Sequence, residues 1–178
     1  DPRGAGESYP RPQRGGYSPA YQLAARMWLL GGSVAAMHVE DLRVGIQWLA
    51  KHPKVDAARI KVLGKGELGP AALIAAAVEP AASAVAIESS IVSYQQFAEA
   101  KLHDGLYSQV IPGVLKHFDL DDAIRLIAPR SVWIVSAVGP TGVPMRDKIV
   151  RELVPASAVI REKPEDWPVA KIYKDWLK

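Results

Sequence analysis

The chain has 178 residues, a length typical of one globular domain with a single core. Hydrophobic residues make up 49% of it and charged residues 23%, a composition that argues against intrinsic disorder. The longest apolar run, residues 71–78, is much shorter than the roughly 20 residues that cross a bilayer, so we expect a buried helix there and no membrane partner.

The charge pattern argues against nucleic acid as a partner. The net charge is +3, but 22 Lys and Arg residues are interleaved with 19 Asp and Glu residues, and no basic stripe results. The chain has no cysteine, which excludes disulfides, thiolate chemistry and cysteine-ligated metals and leaves the compartment open.

The first 20 residues predict a long loop rich in glycine, proline and arginine, because "DPRGAGESYPRPQRGGYSP" has no apolar periodicity. Such a loop exceeds the usual length of a connection, which points to a functional loop or one that runs over a neighbouring part of the protein. We therefore divide the chain into a loop over 1–20 and a domain over 21–178.

Helices and strands alternate after this loop. The apolar patterns predict helices over 21–30, 33–51 (with Ser33 as N-cap), 69–80, 145–154 and 166–178. They predict strands over 59–64, 82–89, 130–138 and 157–162, with an irregular, partly helical region over 93–126. This alternation, with mostly apolar strands, indicates an α/β fold whose parallel sheet is covered by helices on both faces.

Three segments resemble one superfamily, the α/β-hydrolases, and in particular its acetyl xylan esterase-like and dienelactone hydrolase-like branch. They are "DPRGAGES" (1–8), "EDLRVGIQWLAKHPKVDAARIKVLGKGELG" (40–69) and "PGVLKHFDLDDAIRLIAPRSVWIV" (112–135). The resemblance runs from Asp1 to about Lys163 and begins after the family's fourth strand. It implies an α/β-hydrolase-like sheet that lacks its first strands, which a preceding domain or another chain would supply as a partner.

The resemblance places the nucleophile elbow at Gly64, Lys65, Gly66, Glu67 and Gly69. In the family this turn reads Gly-x-Ser-x-Gly and lifts a serine oxygen above the sheet. Gly66 stands at the serine position and has no nucleophilic atom, and Leu68 replaces the second motif glycine. The position that resembles the acid of the triad is Gly139, and no histidine follows His117. The sequence therefore predicts a degenerate elbow and no recognisable Ser-His-Asp triad.

Weaker catalytic candidates remain. Glu67 could act as a base or carboxylate nucleophile, but a carboxylate in a first helical turn is stabilising by itself. His103, next to Asp104 and close to Glu99, and His117, close to Asp119, could be bases tuned by a carboxylate. A surface position or a structural hydrogen bond is the favoured explanation for both histidines, because the sequence shows no nucleophile for them to activate. We expect structural roles for His38 and His52.

Other groups have two interpretations each. Ser89 and Ser90 end a predicted strand at the ligand-binding edge of a parallel sheet, where a cap or turn role is commoner. The acidic run 119–122 suggests either a hard-cation site or a helix N-terminus, and its spacing favours the helix. Tyr17, Tyr21 and Trp28 could line a sugar-binding surface or pack against the rest of the sheet. Core or edge packing is expected for Trp48, Trp133, Trp167 and Trp176.

The favoured function is a catalytically degenerate domain of a carbohydrate-esterase-like protein that supports or shapes a companion catalytic domain. One alternative is part of an active esterase with a displaced catalytic constellation, so the question of whether the chain is an enzyme stays open. Another alternative is a carbohydrate-binding module in which the pocket that corresponds to the family's active site binds a polysaccharide or an acetylated oligosaccharide. No cofactor or metal is expected, and the resemblance alone favours a secreted or periplasmic location.

Overall fold

The computed structural model describes residues 1–9, 17–164 and 168–177. Its α-helices are α1 Pro19–Leu29, α2 Val34–Lys51, α3 Gly69–Val78, α4 Tyr94–Glu99, α5 Leu106–Gln109, α6 Leu120–Ile127, α7 Asp147–Leu153 and α8 Val169–Tyr173. Its strands are β1 Lys61–Lys65, β2 Ala84–Glu88, β3 Ser131–Val135 and β4 Val159–Arg161. Short 3-10 turns cover Gly6–Ser8, Ala57–Arg59, Gly66–Leu68 and Val114–Lys116.

The four strands form one parallel sheet in the order β1-β2-β3-β4. Leu63 pairs with Ala86, Ala86 with Trp133, and Trp133 with Val159, so the register places alternate residues on common faces. Each crossover between neighbouring strands contains at least one helix, as parallel pairing requires. The predicted α/β class with a parallel sheet is confirmed.

Helices cover both faces of the sheet. On one face, strand residues such as Val85 and Ile134 join a buried core with side chains from α2, α3, α6 and α7. On the other face, Ala86 and Val135 pack with the C-terminal residues Ile172, Tyr173 and Trp176. Helix α3 is buried around most of its circumference, as its uninterrupted apolar sequence predicts. The sheet and its helices therefore form the layered α/β arrangement that the sequence predicts.

Capping side chains set the starts of the first two helices. Ser33 accepts a hydrogen bond from the Ala36 amide at 3.1 Å, which confirms it as the N-cap of α2. Ser18 caps α1 through the Tyr21 amide at 3.2 Å, with a proline following it. Helix α1 therefore begins inside the stretch predicted as loop, because the cap lies three residues before the apolar pattern starts.

Several predicted boundaries differ from the structure. The strands predicted over 82–89 and 130–138 are shorter, and the C-terminal helix occupies only Val169–Tyr173 of the predicted 166–178.

The prediction of core or edge packing is wrong for Trp48, which is 62% exposed on α2, with its ring near His52. Trp167 lies outside the described residues. Among those described, no helix combines the length and apolarity that a bilayer crossing needs.

Candidate functional site

The turn between β1 and α3 has the geometry of a strand-to-helix elbow. β1 ends at Lys65, a 3-10 turn covers Gly66–Leu68, and α3 begins at Gly69. Gly66 has a φ of +57°, in the left-handed region that glycine adopts without steric cost. Chain neighbours apart, no atom lies within 4 Å of the position that a β-carbon on Gly66 would take. The elbow therefore has an open apex that carries no side chain.

Two further glycines hold this elbow tightly against the sheet. A β-carbon on Gly64 would lie 2.9 Å from the α-carbon of Gly69 and 2.6 Å from the β-carbon of Ala72. A β-carbon on Gly69 would lie 2.0 Å from the Ser90 hydroxyl oxygen. Only residues without side chains permit these approaches, so strand β1, helix α3 and the end of β2 meet at van der Waals contact.

Gly66 and Gly139 line one cavity of about 170 Å³ at the carboxyl edge of the sheet. Ligands of parallel α/β proteins bind at this edge. The polar side chains in the cavity wall are those of Glu67, Ser89, Ser90, Asp104 and Gln109. The two positions that the resemblance makes nucleophile and acid thus border a common space, although they are distant in sequence. Neither position supplies a functional group.

The Glu67 carboxylate is held by helix α5. The Ser108 hydroxyl donates a hydrogen bond to Glu67 Oε2. Glu67 Oε1 lies 2.7 Å from the position of a β-carbon on Gly105, which precedes α5. The side-chain amide of Gln109 donates a hydrogen bond to the Gly105 carbonyl oxygen at 2.7 Å, which fixes Gly105 next to Glu67. These contacts give Glu67 a bracing role between the elbow and α5, and they leave it no imidazole partner among the described hydrogen bonds.

The two candidate histidines lie outside the elbow cavity. Nε2 of His103 is 2.7 Å from the Phe97 carbonyl oxygen, and its ring stacks on Phe97 with 5.7 Å between centroids. His103 lines a separate apolar cavity of about 360 Å³ beside α4. His117 is exposed after the Val114–Lys116 turn. No histidine lines the elbow cavity within the part of the chain that the structure describes.

The acidic run at 119–122 forms a helix N-terminus. Asp119 caps α6, and the Asp122 carboxylate accepts the Asp119 amide at 3.0 Å in a capping box. Asp119 also accepts the Ser93 hydroxyl at 2.8 Å and the Tyr94 amide at 2.6 Å, so it links α4 to α6. The described residues contain no group of three or more His, Asp or Glu side chains that could hold a metal. The helix interpretation is confirmed for this run.

A buried carboxylate that sequence reasoning missed lies at the end of β2. Glu88 is 1% exposed, and it accepts hydrogen bonds from Lys163 Nζ at 2.7 Å and from the Tyr173 hydroxyl at 2.8 Å. Lys65 Nζ lies 3.4 Å away. Burial acts to raise the pKa of Glu88, but the two hydrogen bonds and the two ammonium groups lower it below its usual value. The only sequence signal was a charged residue that ends an otherwise apolar strand.

Four aromatic rings form a row between α1 and α5. Tyr17 stacks on Tyr21 with 5.0 Å between the ring centroids, and Tyr21 packs edge to face against Tyr107 with 5.1 Å between the centroids. The centroids of Trp28 and Tyr107 lie 6.4 Å apart. Tyr17 and Tyr107 keep substantial exposure. Because the rings contact one another, part of each ring face is covered. The row therefore holds α1 against α5 and also leaves some aromatic surface exposed. Tyr107 was not predicted as a member.

The first loop is anchored on α2 by a salt bridge and a buried histidine. Nη2 of Arg3 lies 2.7 Å from Asp41, and Nε2 of His38 lies 2.9 Å from the Arg3 carbonyl oxygen. His38 is buried, and its Nδ1 has no hydrogen-bond partner in the described structure. This assigns the structural role that the sequence predicted for His38.

We expect this anchor to weaken at acidic pH. Burial lowers the pKa of His38, even though the Arg3 carbonyl, Asp41 and Glu67 act in the opposite direction. The unfolded chain binds a proton near pH 6.5 and the folded chain does not, so the free energy of unfolding falls as pH drops below about 6.5. Thermal melts between pH 7.5 and 5.5 should show the decline, and His38→Gln should reduce it while His52→Gln leaves it unchanged. Equal pH dependence in all three proteins would contradict the assignment.

Fold and site together define a parallel α/β sheet with a strand-to-helix elbow whose apex carries no nucleophilic side chain. No family model and no curated protein matches the chain. Among solved structures it is similar to the glucuronoyl esterase from Solibacter usitatus, with 23% sequence identity and a TM-score of 0.49. The match covers 81% of this chain and 47% of that one, so the chain spans about half the length of that esterase. This similarity assigns no activity to the chain.

Proposed function

We propose that the chain is a catalytically degenerate α/β-hydrolase-like domain of a carbohydrate-esterase-like protein and supports or shapes a companion catalytic domain. The observation that carries this proposal is the elbow itself. Its positive φ at Gly66 and its close contacts at Gly64 and Gly69 are kept, while its apex lacks a reactive atom. A turn retained without a nucleophile serves packing and shape.

The absence of the other two triad groups supports the same function. Acyl transfer by this fold needs a nucleophile, a histidine base and an acid within hydrogen-bond reach of one another. Gly139 has no carboxylate, and the described wall of the elbow cavity contains no histidine. Glu67 accepts a hydrogen bond from Ser108, and His103 is hydrogen-bonded to the Phe97 carbonyl. Neither side chain is therefore a ready base for a group at position 66.

Restoring the serine should not restore activity. We expect Gly66→Ser to hydrolyse p-nitrophenyl acetate no faster than Gly66→Ala, because a serine hydroxyl without a base is a weak nucleophile. The alanine variant is a matched control, since both substitutions place a β-carbon at the same positive φ, at a similar cost of about 1 kcal/mol. Steady-state rates at pH 7.5 with burst analysis provide the measurement. A serine variant with a burst and a raised kcat/KM would overturn the proposal.

The displaced-esterase alternative gives a different result in the same assay. If the unmodified chain hydrolyses the ester above the rate in buffer, and His103→Ala or His117→Ala abolishes that activity, the chain is an enzyme with an unusual constellation. Unchanged hydrolysis in both variants removes these histidines from consideration. A Glu67→Gln variant then tests the remaining carboxylate, since it keeps an acceptor for Ser108 and loses the charge.

A carbohydrate-binding role is a second candidate, and the aromatic row favours it. Exposed tyrosine rings can stack on the apolar faces of sugars, and Tyr107 belongs to the same short helix as Gln109 of the elbow cavity. Calorimetric titration with acetylated xylo-oligosaccharides tests this role. Heat that disappears in Tyr107→Ala would support it, and absence of heat at millimolar ligand would remove it.

A further inference from the structure

A second cavity lies beside α4, apart from the elbow cavity. It has a volume of about 360 Å³, which falls within the range of about 300–1,000 Å³ that small-molecule pockets occupy. An apolar cavity of about 150 Å³ in another protein binds benzene, so this space admits a larger body. The large side chains of its wall are those of Tyr94, Phe97, Ile111, Pro112, Val114 and Leu115. We call this space the α4 cavity.

The wall of the α4 cavity favours a neutral occupant. The Tyr94 hydroxyl is already engaged, since it donates a hydrogen bond to the Gln109 carbonyl oxygen at 2.9 Å. The Ile111 carbonyl oxygen accepts the Val114 amide at 3.1 Å. None of the lining residues that the structure describes is Asp, Glu, Lys or Arg. An ion would lose its hydration in this cavity without gaining a charged partner, so the cavity suits an uncharged, mainly apolar molecule.

The His103 imidazole supplies a hydrogen-bond acceptor at the exposed side of this cavity. Nε2 of His103 lies 2.7 Å from the Phe97 carbonyl oxygen. A carbonyl oxygen only accepts hydrogen bonds, so in the neutral ring Nε2 carries the proton and Nδ1 is an acceptor. No hydrogen bond to this Nδ1 occurs among the described residues. A ligand group that binds Nδ1 must therefore be a hydrogen-bond donor.

We propose that the α4 cavity binds a small neutral molecule that has an apolar body and one hydroxyl group, such as a phenol or a short-chain alcohol. The body fills the apolar interior, and the hydroxyl donates a hydrogen bond to Nδ1 of His103. The site uses neither the apex of the elbow nor the aromatic row. The inference therefore goes beyond the proposed function and holds whether or not the elbow is degenerate.

Phe97 lies between this site and the elbow. Its side chain is 4% exposed and lines both the α4 cavity and the elbow cavity. The His103 ring stacks on the Phe97 ring with 5.7 Å between the centroids. A ligand in the α4 cavity would therefore pack on a side chain that both cavities share, and only that ring would separate the ligand from the elbow cavity.

Two fluorinated probes test the proposal on the whole chain by fluorine NMR titration. The first, para-fluorophenol, has the hydroxyl donor, and the second, para-fluoroanisole, has a methyl ether in its place. We expect the phenol to bind with a Kd of about 1 mM or below and the ether to bind about threefold or more weakly. Burial of apolar surface alone predicts the reverse order, because the ether is the less polar molecule. Equal or tighter binding of the ether, or no binding of the phenol at about 10 mM, overturns the proposal.

His103→Phe tests the acceptor, because it removes Nδ1 and keeps an aromatic ring at the cavity. The phenol should then bind about threefold or more weakly, at the level of the ether, while binding of the ether changes little. His117→Phe is the matched control, since His117 follows the Val114–Lys116 turn and does not line the cavity. A preference for the phenol that survives in His103→Phe, or that both variants lose equally, contradicts the role assigned to His103.

Ala98→Phe tests the location of the site and leaves His103 in place. Ala98 is exposed on α4 and lines the cavity, so a phenyl group there should obstruct the cavity and weaken both probes about tenfold. Gln95→Phe adds the same group at an exposed position of the same helix that does not line the cavity, and it should leave both affinities unchanged. Equal effects of the two variants, or no effect of either, contradict the α4 cavity as the binding site.

Discussion

Gly64→Ala is expected to destabilise the chain by about 2–3 kcal/mol, because a β-carbon there enters a closed contact between backbones. That β-carbon would lie 2.9 Å from both the α-carbon of Gly69 and the Leu68 carbonyl oxygen, and 2.6 Å from the β-carbon of Ala72. These neighbours are backbone atoms and a methyl group, which no rotamer change can move. Helix α3 must therefore shift away from β1. Urea denaturation followed by circular dichroism measures the loss.

Gly45→Ala is the matched control for this substitution. Gly45 lies in the interior of α2, and nothing lies within 4 Å of the position of a β-carbon on it. Alanine in an exposed helix interior stabilises by about 0.5–1 kcal/mol relative to glycine, so the control should move in the opposite direction. If both variants lose stability equally, the close approach at the elbow does not hold β1 and α3 together.

The sequence predicted the elements that depend on local pattern. The apolar run of α3, the Ser33 cap of α2 and the positions of the strands along the chain follow from hydrophobic period and capping chemistry within short windows. The elbow position was assigned through the resemblance, and the structure has a strand-to-helix turn at these residues. Reasoning from local pattern failed for Trp48, because the apolar pattern of a helix does not by itself show that every apolar position faces the core, and the Trp48 ring lies beside His52 at the surface.

Contacts between distant segments could not be predicted. The Glu88 cluster joins the end of β2 to Lys163 after β4 and to Tyr173 in α8, and no spacing rule links these three positions. The bond of Ser108 to Glu67 likewise depends on how α5 lies against the elbow. The shared cavity of Gly66 and Gly139 was implied only by the resemblance, and the geometry of the parallel sheet produces it.

Glu88→Ala should cost about 3–5 kcal/mol of stability, because it leaves the Lys163 ammonium without its partner at a site shielded from water. Nζ of Lys163 lies 2.7 Å from Glu88 Oε1, and the lysine side chain is only 17% exposed. The Tyr173 hydroxyl also loses its acceptor, which weakens the attachment of the C-terminal segment to the sheet. Urea denaturation at pH 7 gives the magnitude, and hydrogen exchange in residues 168–177 should show where the loss begins.

The exposed pair of Arg125 and Asp121 provides the comparison for this buried cluster. Nη2 of Arg125 lies 3.2 Å from the Asp121 carboxylate and the arginine is 63% exposed, so Arg125→Ala should cost no more than about 1 kcal/mol.

The Glu88 cluster should also make the free energy of unfolding depend on pH. The lowered pKa of Glu88 means that the stability from this cluster is present above pH 4.5 and is lost as pH falls through the lower folded value. A Glu88→Ala protein should therefore lose less stability than the unmodified chain between pH 5 and 3. If the difference between the two proteins stayed constant over that interval, the cluster would not owe its stability to the ionised carboxylate.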